Sequence, residues 1–308
     1  MMRFRSTLGI CALGLLALSV RTDVQAQQDP QSSTYFLAPQ VFNPAYSGLS
    51  NRLNVHSVTR MQWVGWGGAP ATQMLTMDAP FFRQFGGAGL TMVRDNVGAR
   101  SQTSFMGSVA AHIPLDDGWT MSFGICGGMR LLSSDFRGLR VDDTSDDLYA
   151  TTFQDWSPNF GAGVFLTSSK AYVGFSVPQA LTQGVAEAAE EDGYKRHQYL
   201  TAGLRSKPND YVSLQYGALV KITEDAPAAV DAQLMATWMD VFGVGGLCRF
   251  GESAGLLVSF KLSKALTAVY VAEAPYNTLR IRNFGTHELA LRWTVSTPQR
   301  VTTNPRFF

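Results

Sequence analysis

The chain has few of the side chains around which enzymes and metal proteins are usually built. It contains three cysteines and four histidines in 308 residues. None of His56, His112, His197 and His287 sits in an HExxH or Cys/His zinc spacing, so no metal site is expected. A G-x-S-x-G elbow is absent as well, and no catalytic residues and no cofactor are expected. Charged residues make up only 16% of the chain and the formal net charge is +1, which leaves no basic field for nucleic acid. No apolar run approaches the roughly 20 residues that a transmembrane helix needs.

What is present begins with a leader. Arg3 and Arg5 form a positive start, Leu8 to Val20 an apolar stretch too short to span a bilayer, and Val24, Gln25 and Ala26 a small-residue cleavage site, so residues 1–26 read as a signal peptide. Cys11 lies within the apolar stretch and follows bulky Ile10, which argues against a lipoprotein. Cleavage would remove Arg3, Arg5, Arg21 and Asp23 and take the net charge from +1 to −1. The two remaining cysteines, Cys126 and Cys248, fall on opposite strand phases, inward and outward, and no disulfide is expected despite an oxidising compartment.

Residues 52–296 then repeat one rhythm. In the stretch from Trp119 to Met129, Trp119, Met121, Phe123, Ile125 and Met129 fall on one face, and Thr120, Ser122, Gly124, Cys126 and Gly128 on the other. Such alternation marks a strand with one apolar face. It recurs with no helical stretch between, at 52–60, 71–79, 86–94, 102–113, 118–131, 158–167, 170–177, 198–206, 211–222, 229–238, 241–250, 255–262, 265–273 and 287–296. Behind a secretion signal, this predicts an all-β chain, a transmembrane antiparallel β-barrel of about 14 strands in a bacterial outer membrane, with oily side chains facing lipid. The 29 glycines and 19 phenylalanines suit curved strands and a lipid face.

Connection lengths sort by parity. Every even-numbered junction is brief, and the long ones (61–70, 132–157, 178–197 and 274–286) are all odd-numbered. Outer-membrane barrels have short periplasmic turns and long outer loops, so both termini are expected in the periplasm. The unpatterned segment 27–51 mixes apolar residues with turn formers, and is expected as a compact plug in the lumen or a cap at the periplasmic mouth. The tail 297–308 lies on the same side.

Strand phase turns Arg130, Arg205, Arg249, Glu288 and Arg292 inward. On the lipid face an arginine at mid-depth would cost about 2–4 kcal/mol. They read either as satisfied filling of the interior or as an ion-selective lining. Strands 3 and 10 alternate poorly, which allows bulges or displaced ends. Acidic runs at 142–147 and 187–192 lack the EF-hand order and read as solvated loops, with calcium or partner docking as the alternative.

A set of short motifs resembles the PorP/SprF family of Bacteroidetes outer-membrane proteins. They are QQDPQ at 27–31, NPAYSG at 43–48, Arg60, Trp63, Gly65, Gly68, Pro70, Thr72 and Gln73 in one stretch, Asp78 to Pro80, Pro158 to Gly163, and Tyr172 to Pro178. The resemblance covers most of the first 180 residues, while the remainder matches as generic strands. It implies a non-enzymatic component of the type IX secretion system. Its implied partners are a periplasmic ring lipoprotein with its partner subunit, a peptidoglycan-binding lipoprotein, outer-membrane lipid, and secreted cargo with a C-terminal sorting domain. Gliding motility is a further role that the resemblance suggests. The motifs also have a physical reading of their own: Pro44, Gly48, Gly65, Gly68 and Pro70 fix turns, and Trp63 and Trp66 suit an aromatic girdle. The alternative is a ring-docking surface formed by Gln28, Asp29, Pro30, Tyr35, Phe36, Asn43, Pro44 and Tyr46. The rival to the secretion role is a porin or hydrophobic-solute transporter, since a barrel this wide conducts unless plugged.

Overall fold

The structure, a computed structural model, describes residues 30–81, 85–135, 152–181, 195–224, 226–276 and 283–295. Fourteen strands run in chain order: β1 Leu53–Met61, β2 Ala71–Phe81, β3 Gly86–Val97, β4 Arg100–Pro114, β5 Thr120–Asp135, β6 Thr152–Thr167, β7 Ala171–Val177, β8 His197–Ser206, β9 Val212–Thr223, β10 Ala226–Trp238, β11 Phe242–Arg249, β12 Ser253–Lys261, β13 Leu266–Pro275 and β14 Thr286–Val295. Each pairs antiparallel with its neighbours in sequence, and β1 closes on β14 from Leu53↔Val295 to Met61↔His287. Closure leaves no open edge, which is the condition for a sheet to cross a bilayer.

Period-two alternation puts large apolar side chains outside. Leu90, Ile125, Phe160, Leu204 and Leu256 each stay more than half exposed around the wall. A continuous apolar belt of this kind exceeds what the surface of a soluble monomer carries, and suits contact with acyl chains. Lumen-facing positions between them are buried and frequently polar, as Ser104, Ser108, Ser122, Arg130, Ser157 and Asn159 illustrate.

All six even-numbered junctions gather at one end of the barrel, here the short-turn end. The strand ends joined by 62–70, 136–151, 178–196 and 276–285 gather at the other, the loop end, together with those joined by the brief junctions 98–99, 224–225 and 250–252. In the connection 62–70, Val64 donates to the Gly285 carbonyl at 2.9 Å and Phe284 donates back to Val64 at 2.8 Å, clipping two loops together. Trp63 stands at φ 47° there, and Gly65 at φ 95° lies flat against the Phe284 ring.

The strand bounds depart from the sequence reading at identifiable places. β5 and β6 continue to Asp135 and back from Thr152, beyond the expected ends at 131 and 158. Once both faces are wet the apolar alternation stops, but the backbone ladder does not need it. β3 runs on to Val97, and β10 starts at Ala226 with a register shift between Ala226 and Ala229, so both poorly alternating strands had displaced ends and β10 a bulge. The acidic runs 142–147 and 187–192 and the tail 297–308 lie outside the described residues.

A second apolar cluster lies inside. Tyr35, Phe36, Leu37 and Phe42 pack with Val58, Met74, Tyr199, Leu219, Leu257, Val269 and Val271. These wall residues face inward although they are apolar, because residues 30–48 fill the lumen and give them something to bury against.

Candidate functional site

The segment before β1 runs through the lumen from the loop end to the short-turn end. At the loop end it meets a network of buried charges. Ser33 and Thr34 donate their backbone amides to the two Glu288 carboxylate oxygens, each at 2.9 Å. The Ser32 and Thr34 hydroxyls add bonds of 2.9 and 2.5 Å to the same carboxylate, and the Ser33 hydroxyl donates to Glu273. Arg60 pairs with Glu273 at 2.5 Å and Glu288 at 3.1 Å. Arg249 pairs with Asp231 at 3.0 Å and Glu273 at 3.2 Å, and Lys221 reaches Asp231 at 3.6 Å. Arg60, Arg249, Glu273 and Glu288 stand at or within two residues of the loop-end limits of their strands. Burying such charges is costly unless each is paired and hydrogen-bonded, and here carboxylates alternate with cations around the strap's hydroxyls.

The middle of the strap forms two short 3-10 turns, Pro39–Val41 and Pro44–Tyr46. Pro at each start presets φ, and the Asn43 side chain caps the second turn by accepting from the Ala45 amide at 3.0 Å. The Asn43 amide nitrogen also donates to the Val164 carbonyl at 2.9 Å, and the Ser176 hydroxyl donates to the Phe42 carbonyl at 2.6 Å. The Phe42 ring meets Tyr199 edge-on at 5.2 Å.

Nearer the short turns the wall makes room by omission. A Cβ on Gly87, Gly124 or Gly163 would strike Ser47, the Pro44–Ala45 peptide or Asn43 respectively. The Ser122 hydroxyl donates to the Ala45 carbonyl at 2.5 Å while sharing a 2.7 Å bond with His112, and Ser47 meets Ser108 at 2.7 Å. Gly48 donates to Asp78 at 3.1 Å, and the Asn54 amide holds the same carboxylate. Tyr46 stands over the lower lumen with its ring edge-on to Phe165 at 5.6 Å.

The expected site residues divide into three groups. Arg249 and Glu288 belong to the ion network, and Arg130 is buried on the inner wall. Arg205 and Arg292 also face inward, toward the short-turn mouth, with no ion pair among the described residues. Of the expected docking residues, Gln28 and Asp29 lie outside the described residues and Pro30 lines the lumen beside Gln102 and Ser104. Tyr35, Phe36, Asn43 and Pro44 are buried, and Tyr46 is half-buried. The buried ones, Tyr35, Phe36, Asn43 and Pro44, pack against the barrel's own wall. Of the two arrangements expected for the segment, lumen plug or cap at the mouth, residues 30–48 have that of a plug, with residues 31–34 at the loop end.

The sequence reading passed over Lys221, Asp231 and Glu273, and took Arg60 only as part of a family motif. Arg60 shares the inward phase of His56 and Val58, which was legible. Glu273 shares its phase with Val269 and Val271, and those valines disguise the inner face. The motifs that carried the family resemblance meet in space: Asn43 to Gly48 is the strap, and Asp78, Gly163 and Ser176 are parts of its seat. His56, His112 and His197 are buried at separate inward positions, and His287 bonds the Tyr270 hydroxyl at 2.7 Å on the outer face. Among the described residues no group of His, Cys, Asp and Glu is arranged to hold a metal ion. Cys126 and Cys248 are both free.

Comparison with known proteins gives one family. The family described as type IX secretion system membrane protein PorP/SprF matches residues 24–293. No curated protein matches the chain. Among solved structures, the Ralstonia pickettii toluene transporter TbuX is 12% identical, with 84% of this chain and 92% of that one covered at a TM-score of 0.46. The Acinetobacter baumannii outer membrane protein Omp33 is 11% identical, with 80% and 99% covered at 0.41. The KdgM porin is 8% identical, with 79% and 99% covered at 0.36.

Proposed function

The chain belongs to the PorP/SprF family of type IX secretion system membrane proteins, and from that premise we propose that it is a non-conducting, non-enzymatic scaffold of the secretion apparatus. In this reading the barrel is an outer-membrane anchor that links to the periplasmic ring lipoprotein, its partner subunit and a peptidoglycan-binding lipoprotein. The loop end, facing outward, is free to hold secreted cargo. The single observation that carries the reading is the filled lumen. A barrel of about 14 strands is wide enough to conduct, yet this one spends its interior on a strap pinned by buried ion pairs and an apolar cluster.

With the strap buried, the linking surface is assigned to the short turns and the C-terminal tail. Both termini of the barrel domain, Leu53 and Val295, stand at that end, which supports placing it in the periplasm. The test is co-purification from mild-detergent membranes with mass-spectrometric identification of partners. Ring subunits recovered in proportion to a barrel that still shifts on gels when heated support the scaffold. A barrel that is intact and free of ring subunits removes it. The porin reading rests on barrel width alone and the occupied lumen weighs against it.

A further inference from the structure

The charges of the inner wall are segregated. At the loop end three buried cations have carboxylates: Arg60, Arg249 and Lys221 share Glu273, Glu288 and Asp231. Toward the short turns the wall carries Arg205, Lys261 and Arg292 at inward phases, none in an ion pair among the described residues. Asp78 is the one acid on that part of the strand wall among the described residues, and it is already held by Gly48 and Asn54.

Register ties these cations to further polar groups. Lys261 lies beside Thr267, Thr267 beside Arg292, Arg292 beside His56, and His56 beside Thr76, one continuous row across β12, β13, β14, β1 and β2. The row ends on His56 and Thr76, which are 4% and 1% exposed and whose Nδ1 and Oγ1 atoms have no hydrogen-bond partner. Arg205 on β8 stands on the far wall, six strands around the barrel from Arg292 on β14.

We propose that the short-turn mouth, lined by Arg205, Lys261 and Arg292 beneath the strap, is a docking site for an acidic segment of a protein partner. Inward phase takes these cations off the belt where lipid phosphates sit, so the carboxylates must come from something that enters the mouth. The strap closes the lumen above, so the occupant is a shallowly inserted loop or chain end and not a solute in transit. At the turn tips the charges are mixed among the described residues: Lys170, Lys207 and Lys264 stand among Asp116, Asp117, Asp210 and Asp240. Charge-paired docking of this kind is strongly salt-dependent. The proposal rests on the scaffold reading, whose ring faces the same end, but its test does not.

Purified protein in detergent is titrated with a fluorescein-labelled oligo-glutamate peptide and, separately, an oligo-lysine peptide. The acidic peptide is expected to bind at low salt, to be released as salt rises, and not to be displaced by phosphatidylglycerol; the lysine peptide is expected not to bind. Arg205→Ala, Lys261→Ala and Arg292→Ala together should weaken binding by about tenfold or more, whereas Lys170→Ala, Lys207→Ala and Lys264→Ala together should change it less than about twofold. Equal affinity in the wall variant, equal loss in the tip variant, or displacement by the lipid overturns the proposal. Retained heat-modifiability certifies the fold, and if the triple variant fails that check, Arg205→Gln and Lys261→Gln at the two exposed positions carry the same test. Because the readout uses a peptide and purified barrel, it stands or falls separately from recovery of the ring.

Discussion

The backbone amide of Thr34 donates to the Glu288 carboxylate at 2.9 Å, joining the strap to the last strand of the barrel across 254 residues of sequence. The same carboxylate accepts from Ser32 and Ser33 and pairs with Arg60. One acidic side chain thus holds the upper strap and balances a buried guanidinium.

Replacing it should therefore do two things at once. Glu288→Ala is expected to destabilise the closed barrel by about 3–5 kcal/mol, the usual cost of leaving a buried ion without its partner. Glu288→Gln, which keeps the shape and some acceptors, should cost less. The urea concentration at which the heat-modifiable band is lost measures both, and equal midpoints for the two variants and wild type would remove the network from the stability account.

Space on the wall can be tested independently of charge. Gly124→Val puts side-chain carbon where the Pro44–Ala45 peptide lies, and the strap, not the strand, has the freedom to move. The expected outcome is an intact barrel whose residues 30–48 become accessible to protease, read by mass spectrometry of the released peptides. Gly107→Val makes the control, since the ideal Cβ there meets nothing closer than 3.8 Å and should leave the strap protected.

The path of the strap makes a prediction about sidedness. Cysteines are introduced one at a time at Pro30, at Gly251 on the loop end and at Asp240 on the short-turn end, in a chain with Cys126→Ser and Cys248→Ser. With a membrane-impermeant maleimide on intact cells and on opened envelopes, position 30 should react from the same side as position 251. Reaction from the side of position 240 would show that the strap does not run through the barrel.

Much of this fold was legible because a barrel writes itself as period-two alternation. All fourteen strands stand where the sequence placed them, and loop length sorts by end. The errors fall where alternation carries no information, as at the wet tips of β5 and β6 and at the irregular start of β10. The strap was hidden for a different reason. Its contacts are made by 3-10 turns, backbone amides and absent Cβ atoms, none of which has a period, so Tyr35 and Phe36 read equally well as plug or docking surface. Val269 and Val271 hid Glu273, because an inner face that packs against a strap is apolar like an outer one.

The scaffold account turns on whether the lumen is closed by its own chain. Purified full-length protein in planar bilayers should be electrically silent, and the variant lacking residues 30–48 should open steady channels of the conductance that a barrel of about 14 strands permits. Steady, selective conductance from the full-length protein, unchanged by removal of the strap, would contradict it.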